Sequence, residues 1–167
     1  MLLCSEYTLH VVVCHLPSRS GSSREGKKNR ALALKTLANM TDSLLSQNPM
    51  CKLMEMGDFK STLKDLRTLK SLVPLTPNLK RPTSGTYRFK GNWSWLDHIF
   101  VSPALCEKTS KAVLYTQPWM QRCMADGSWY PRRTYMGTTY SGGVSDHVPI
   151  YVDLGPLSNS PEGGEKK

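Results

Sequence analysis

Apolar runs alternate along the chain with polar, turn-forming segments, in an order typical of an α/β fold. Residues 7–15 hold three consecutive valines and predict a strand that is buried on both faces. The strand is expected to end before Pro17, which lacks a backbone donor. Residues 18–29 are polar and basic, and they predict a loop that leads into a helix. The inward side of that helix should hold leucines and an alanine at spacings of three and four, at positions 34, 37, 38, 44 and 45.

A second short strand is predicted at residues 51–56. Gly57 provides the turn that places Asp58 at the carboxyl end of this strand, where α/β folds position their chemistry. Glu55 is unusual inside such a strand, and it is either paired or a sign of decay. Thr62 and Asp65 resemble a capping box and predict a helix that stops near Pro74.

The pattern becomes strand-dominated after Gly85, with strands predicted at 86–89, 96–101, 112–116 and 148–154. Residues 155–167 contain prolines, glycines and charges but almost no apolar side chains, which is typical of a disordered tail. No internal repeat and no interdomain linker interrupts the rest. The sequence therefore predicts a single α/β domain over residues 8–154, followed by a disordered tail over residues 155–167.

Composition adds a class of partner to this picture. The 167 residues include 22 Lys and Arg against 13 Asp and Glu, and the formal charge of +9 favours binding to polyanions such as nucleic acid or phosphorylated ligands. No apolar run is long enough for a membrane span. Five cysteines without CxxC spacing argue against a disulfide framework or a structural zinc site. Because no signal peptide is visible, the cytoplasm is the default expectation for location.

Candidate chemistry is concentrated in four short motifs near predicted strand ends. In chain order they are Cys14-His15-Leu16-Pro17-Ser18-Arg19, Gly57-Asp58-Phe59, Leu96-Asp97-His98 and Ser145-Asp146-His147. Phosphodiester hydrolysis requires neutralisation of the phosphate, activation of water and stabilisation of the leaving oxygen. Carboxylates and imidazoles can supply these functions. Each motif alone is more often structural, and only their order and context favour a shared site.

Taken together, these motifs resemble those of the endonuclease/exonuclease/phosphatase superfamily, the deoxyribonuclease I-like phosphoesterases. The resemblance implies a metal-dependent phosphoester hydrolase that uses Mg²⁺ or Mn²⁺ and acts on a phosphate ester, nucleic acid being one possible substrate. It implies four catalytic residues, two substrate-binding residues and one metal ligand. The catalytic residues are His15, Asp58, Asp97 and His147, the substrate-binding residues are Arg19 and Lys60, and the metal ligand is Asp146.

The residue types agree with these roles. An imidazole with an ordinary pKa near 6.5 accepts a proton at neutral pH, which makes His147 the natural general base. Asp97 would hold the imidazole in the useful tautomer by accepting its other N–H. Asp146 offers the carboxylate oxygen that magnesium prefers, and Arg19 offers a fork suited to phosphate oxygens.

Two departures from the family pattern bear on activity. The resemblance covers only the later half of a family domain, so the expected fold is a partial α/β sandwich, mostly one mixed sheet with helices, without the earlier half and its metal-binding glutamate. Lys60 also replaces the asparagine of the usual Gly-Asp-Phe-Asn motif. An apolar sheet face would then be exposed, and the chain would need a separate earlier half or would self-associate. Three interpretations remain: an enzyme fragment, a non-catalytic basic module that binds phosphate or nucleic acid, and the product of a decaying gene.

Overall fold

The computed structural model describes residues 2–4, 7–18, 24–77 and 84–155. The predicted site residue Arg19 and residues 156–167 of the predicted tail lie outside these ranges. Two α-helices and two 3₁₀ turns are present in the described part. They are α1 (Arg24–Gln47), α2 (Pro103–Cys106) and the turns Leu63–Leu66 and Pro118–Met120. No helix in the described ranges has the length and apolar character needed to cross a bilayer.

Thirteen short strands accompany the helices in the described ranges. They are β1 (Leu2–Cys4), β2 (Tyr7–His15), β3 (Lys52–Asp58), β4 (Val73–Pro74), β5 (Tyr87–Phe89), β6 (Asn92–Ser94), β7 (Asp97–Val101), β8 (Val113–Leu114), β9 (Gln121–Cys123), β10 (Trp129–Pro131), β11 (Tyr135–Met136), β12 (Thr139–Tyr140) and β13 (Ile150–Tyr151). Predicted strand positions are confirmed, although those at 112–116 and 148–154 are shorter than expected.

A five-stranded mixed sheet in the order β1-β2-β3-β7-β4 forms the centre of the fold. Strands β2 and β3 are parallel and are joined through α1, whereas β7 runs antiparallel to β3. The other strands form two-stranded pairs, namely β5–β6, β8–β13, β9–β10 and β11–β12. The predicted α/β class, with one mixed sheet and few helices, is confirmed.

Apolar side chains pack on both faces of this sheet. On one face, Leu34 and Leu37 of α1 pack with Phe59 and Phe100. On the other face, Leu105 of α2 joins a second cluster that includes Leu9, Met54, Ile99 and Val101. Because both clusters include β3 residues, this central strand is held from both sides and fixes the position of Asp58 at its end.

The prediction that residues 7–15 are buried on both faces is wrong. Strand β2 has the predicted bounds, but the exposed fractions of Val11 and Val13 are 37% and 76%. Alternate residues of a strand point to opposite faces. Here the odd-numbered residues line an apolar groove of about 720 Å³ between the central sheet and residues 148–154, which we call the open face.

The predicted helix starting at Thr62 is only a 3₁₀ turn. The Thr62 hydroxyl donates to the Asp65 carboxylate at 3.2 Å and makes no side-chain capping bond to the backbone. The Thr62 hydroxyl therefore binds the Asp65 carboxylate instead of a free backbone amide at the start of a helix.

Glu55 is a fully buried acidic side chain on β3. One carboxyl oxygen contacts the Thr41 hydroxyl, and the other has no hydrogen-bond partner among the described residues. The Thr41 hydroxyl also donates to the Leu37 carbonyl, so a protonated Glu55 can donate in turn to the threonine oxygen. Burial raises the pKa of Glu55 to about 7, against a smaller opposing effect of the Thr41 hydrogen bond. Of the two sequence alternatives, pairing is therefore met through one carboxyl oxygen only, and the partner is a hydroxyl, not a cation.

Replacement of Glu55 by Gln should stabilise the fold at alkaline pH. Because the folded-state pKa is raised from 4.5 to about 7, stability is lost as pH rises through this interval. The ionised form costs about 3 kcal/mol at pH 8. We expect E55Q to recover about 1–3 kcal/mol at pH 8 and little at pH 5 in urea denaturation. The matched variant Glu107→Gln, at an exposed position, should change neither value, and equal pH dependence in E55Q and the wild type would contradict the account.

Candidate active site

Three predicted catalytic residues lie in one row across the central sheet. His15 ends β2 and is in register with Asp58, which ends β3. Asp58 is in register with Asp97, which begins the antiparallel strand β7. Gly57 makes this approach possible, because a Cβ on Gly57 would lie 2.0 Å from the Cys14 carbonyl oxygen and its φ is 134°.

His147 reaches this row from a loop outside the sheet. Its Nδ1–H donates to the Asp97 Oδ2 at 2.6 Å, and its backbone N–H donates to the Ser145 hydroxyl at 3.0 Å. A β-bridge joins His147 to Tyr87, whose ring lies 5.0 Å from the imidazole centroid. The imidazole is therefore held by a carboxylate on one side and an aromatic ring on another, which fixes the tautomer with Nε2 free to accept a proton.

The charged groups around His147 favour the protonated form of its imidazole. Burial is the largest single influence and disfavours the charged form, but the Asp97 hydrogen bond and the negative charges of Asp97, Asp58 and Asp146 together outweigh it. The pKa of His147 is consequently raised above its ordinary value. A raised pKa strengthens the imidazole as a proton acceptor from water.

Asp58 is the shared centre of the cluster. Its Oδ2 lies 3.7 Å from Nε2 of His147, 3.7 Å from Nε2 of His15 and 2.5 Å from Nζ of Lys60. The backbone N–H of Lys60 also donates to the Asp58 Oδ1 at 3.0 Å. Lys60 also adopts a left-handed backbone with φ 50°, which is uncommon for a residue other than glycine. The carboxylate is thus paired with a fixed cation.

Two buried polar residues hold the row in place, and one of them, Thr86, lies outside the four motifs. Thr86 is fully buried, and its hydroxyl oxygen accepts from the backbone N–H groups of Leu96 and Asp97 at 3.0 and 3.1 Å. His98 is also fully buried, and its Nε2–H donates to the Ser61 carbonyl at 2.8 Å. Burial lowers the pKa of His98, so this imidazole stays neutral. In the sequence, the only sign of a structural role for His98 is the alternation of side chains along a strand, which places it on the opposite face of the sheet from Asp97.

Asp146 lies at the edge of the cluster. Its carboxylate is about half exposed and lies 4.0 Å from NH1 of Arg133. A cavity of about 670 Å³, which we call the catalytic pocket, is lined by Asp146 and His147 together with Lys60 and Tyr87. The predicted metal role of Asp146 stays a prediction. The structure thus brings together His15, Asp58, Lys60, Asp97 and His147, with Asp146 on the pocket wall.

A divalent cation fits the chemistry of this donor set. Asp58, Asp97 and His147 each offer a ligand atom, and these atoms lie within 4.8 Å of one another. Carboxylate oxygens suit both Mg²⁺ and Mn²⁺. Two contacts oppose ion binding, because the Lys60 ammonium competes for the Asp58 Oδ2 and the His147 Nδ1–H already binds the Asp97 Oδ2.

Comparison with known families identifies the class of protein. A model described as Endonuclease/Exonuclease/phosphatase family matches residues 4–155. The chain belongs to this family, as the four motifs indicated. A comparison with the sequences of curated proteins finds no match.

Three solved structures are similar at low sequence identity, and the two with TM-scores above 0.5 share the fold. TDP2 from Caenorhabditis elegans is 15% identical with a TM-score of 0.54, covering 85% of this chain and 40% of that chain. Truncated C. elegans TDP2 is 15% identical with a TM-score of 0.53, covering 85% and 53%. A family protein from Bacteroides thetaiotaomicron is 18% identical with a TM-score of 0.47, covering 75% and 45%. The chain spans about half the length of the solved structures it matches.

Proposed function

We propose that this chain supplies the general base of a metal-dependent phosphoester hydrolase. The observation that supports the proposal most strongly is the 2.6 Å hydrogen bond from His147 to Asp97, with Asp58 3.7 Å from the other imidazole nitrogen. A structural histidine does not need a carboxylate on each side of its ring. A histidine that takes a proton from water gains from both, because its cationic form is stabilised.

Each residue has a defined role in the proposed reaction. His147 Nε2 takes a proton from water while Asp97 stabilises the imidazolium. Asp58 orients the attacking water, whose oxygen bonds to phosphorus as the bond to the leaving oxygen breaks. Lys60 and the largely exposed imidazole of His15 contact the phosphate oxygens. The substrate role of Arg19, which lies outside the described ranges, stays a prediction.

A divalent cation completes the proposal. The carboxylates of Asp58 and Asp97 would hold it, with Asp146 as a further carboxylate at the pocket wall, while Nε2 of His147 stays available for the proton. When bound, Mg²⁺ or Mn²⁺ would neutralise phosphate charge and lower the pKa of water.

The test is hydrolysis of bis(p-nitrophenyl) phosphate by the purified chain. We expect turnover with Mg²⁺ or Mn²⁺, its loss on chelation and its recovery when the ion is returned. Turnover that is indifferent to chelation, or an absence of turnover under every metal condition and with the added segment described next, would contradict the proposal.

The open face supports the further expectation that a second polypeptide segment covers the sheet. Val11 and Val13 are exposed there beside Met56 and Ile99. At roughly 25 cal/mol per Å² of apolar surface, covering a groove of this size would add about 3–4 kcal/mol of stability. We therefore propose that the earlier half of a family domain, supplied as a separate chain, raises both stability and turnover. Self-association is the competing outcome, which size-exclusion chromatography would reveal.

A second candidate function is favoured by the contact between Lys60 and Asp58. At 2.5 Å, the ammonium neutralises the carboxylate that should orient water, and it provides no carbonyl acceptor in return. Such a site can bind phosphate without hydrolysing it. A basic phosphate- or nucleic-acid-binding module is therefore the alternative.

Replacement of Lys60 by Asn distinguishes the two functions. Asparagine tolerates the left-handed backbone at this position and releases Asp58 from the ammonium. If the chain is a hydrolase, K60N should raise kcat on the small diester about 10-fold, the order of one hydrogen bond to a charged group. Lys64→Asn, at an exposed neighbouring position, is the matched control. A fall in phosphate binding by K60N without a gain in turnover supports the binding module instead.

A further inference from the structure

A cationic groove adjoins the catalytic pocket and has no role in the chemistry described above. Its volume is about 540 Å³, and its lining contains Arg88, Lys90, Arg122 and Arg133 but no carboxylate. Within the described part of the chain, no carboxylate lies within 4.0 Å of Arg88, Lys90 or Arg122. Three cations with no carboxylate within 4.0 Å, together with Arg133 beside the half-exposed Asp146, give this groove a positive potential.

The groove and the catalytic pocket share one wall. Phe89 and Lys90, at the turn of the β5–β6 hairpin, line both cavities. Arg133 lines the groove and also points one guanidinium nitrogen at Asp146 of the pocket, at 4.0 Å. A ligand that occupies the pocket and is long enough to cross this hairpin would therefore enter the groove directly.

Two aromatic rings, those of Tyr87 and Phe89, connect the His147 imidazole to the turn of the β5–β6 hairpin. We call this turn the Phe89 ridge. The Tyr87 ring lies 5.0 Å from the His147 ring, and it is stacked with Phe89 at 6.5 Å and an interplanar angle of 12°. Phe89 is 56% exposed, and Nζ of Lys90 lies 5.5 Å from its ring centroid, so the ring combines accessible aromatic surface with a nearby cation. Exposed aromatic rings beside a basic groove are the combination that binds unstacked bases and their phosphates.

The cations of the groove are held in position rather than free in solvent. Arg88 donates to the Trp129 and Gly91 carbonyls and lies 4.1 Å from the Tyr130 ring centroid. Arg133 donates to the Arg88 carbonyl at 3.1 Å. Two ordered guanidinium groups on the groove wall reduce the entropy cost of binding a charged chain.

We propose that this groove is a second subsite that holds the nucleotides flanking the scissile phosphate, so that the substrate is a single-stranded polynucleotide. This inference rests on the proposed function for the position of the reacting phosphate. A single strand can bend over the Phe89 ridge and expose a base to its ring, whereas stacked and paired bases of a duplex cannot. A small phosphate monoester or sugar phosphate fills only the catalytic pocket and gains nothing from the groove cations.

Fluorescence anisotropy with a labelled twelve-nucleotide oligo-dT and its oligo-U counterpart, in chelating buffer, tests the subsite without turnover. Phe89→Ala should weaken binding about 5- to 100-fold, the range found for loss of one stacked base. Arg122→Gln should weaken it by a smaller factor and reduce the salt slope by about one. Trp119→Ala and Arg67→Gln are matched controls, since both positions are exposed and lie outside the groove.

The outcomes separate the subsite from the catalytic proposal. Weaker binding in F89A and R122Q, with the two controls unchanged, supports the groove even if the chain does not hydrolyse the small diester. Hydrolysis of the small diester without oligonucleotide binding, or equal weakening in all four variants, overturns the groove and leaves the proposed function intact. Thermal unfolding of each variant shows whether it is folded. Preference for oligo-dT or oligo-U assigns DNA or RNA as the polymer.

Discussion

Replacement of His147 by Gln should lower phosphodiester hydrolysis by about 10² to 10⁴-fold, the usual contribution of a general base. Glutamine can retain a hydrogen bond to Asp97 but cannot accept a proton from water. The fold should survive, because the imidazole packs at the edge of the sheet against Tyr87 and is not part of either apolar cluster. The measurement is kcat/KM on the small diester at saturating Mg²⁺.

The matched control for this variant is His10→Gln. His10 is an exposed histidine on β2, away from the row of site residues. Its replacement should leave kcat/KM unchanged. Equal rates for the His147 variant and the wild type would remove the imidazole from the mechanism.

Replacement of Phe59 by Ala should destabilise the chain by about 3–5 kcal/mol, the usual cost of truncating a buried phenylalanine. Phe59 has no exposed surface, and its ring packs edge-on against His98 and Phe100 at centroid distances of 5.8 and 5.3 Å. It also stands between Asp58 and Lys60 in the chain. Activity should therefore fall together with stability, as urea denaturation and the hydrolysis assay would show.

Phe89→Ala serves as the stability control for this variant, because Phe89 is more than half exposed. Its free energy of unfolding should stay within about 0.5 kcal/mol of the wild type. A similar small change in F59A would show that the Gly-Asp-Phe segment is not anchored by core packing.

The sequence predicted the row of site residues because each motif adjoins a strand end. The apolar run before His15 and the Gly57 turn before Asp58 place both residues at the same sheet edge once β2 and β3 pair in parallel. Asp97 could be placed in the same way, because it lies at the start of another apolar run that predicts a strand. Local pattern was sufficient here because strand ends in an α/β sheet converge.

Other features depend on contacts between distant segments, and no local pattern encodes them. The Lys60 ammonium on Asp58 requires a left-handed backbone that sequence alone does not indicate for lysine. The exposure of Val13 reflects what packs on its face of the sheet, not its own β-branched character. The Thr86 hydroxyl reaches Asp97 across a hairpin and gives no motif signal.

The coupling between Asp97 and His147 in catalysis tests the central claim most directly. Hydrolysis of the small diester with Mg²⁺ would be measured for the wild type, Asp97→Asn, His147→Gln and the double variant. If the two residues act as one base, D97N should cost at least about 10-fold alone and close to nothing when His147 is already replaced. Equal losses from D97N in both backgrounds would show that the 2.6 Å hydrogen bond has no part in the reaction.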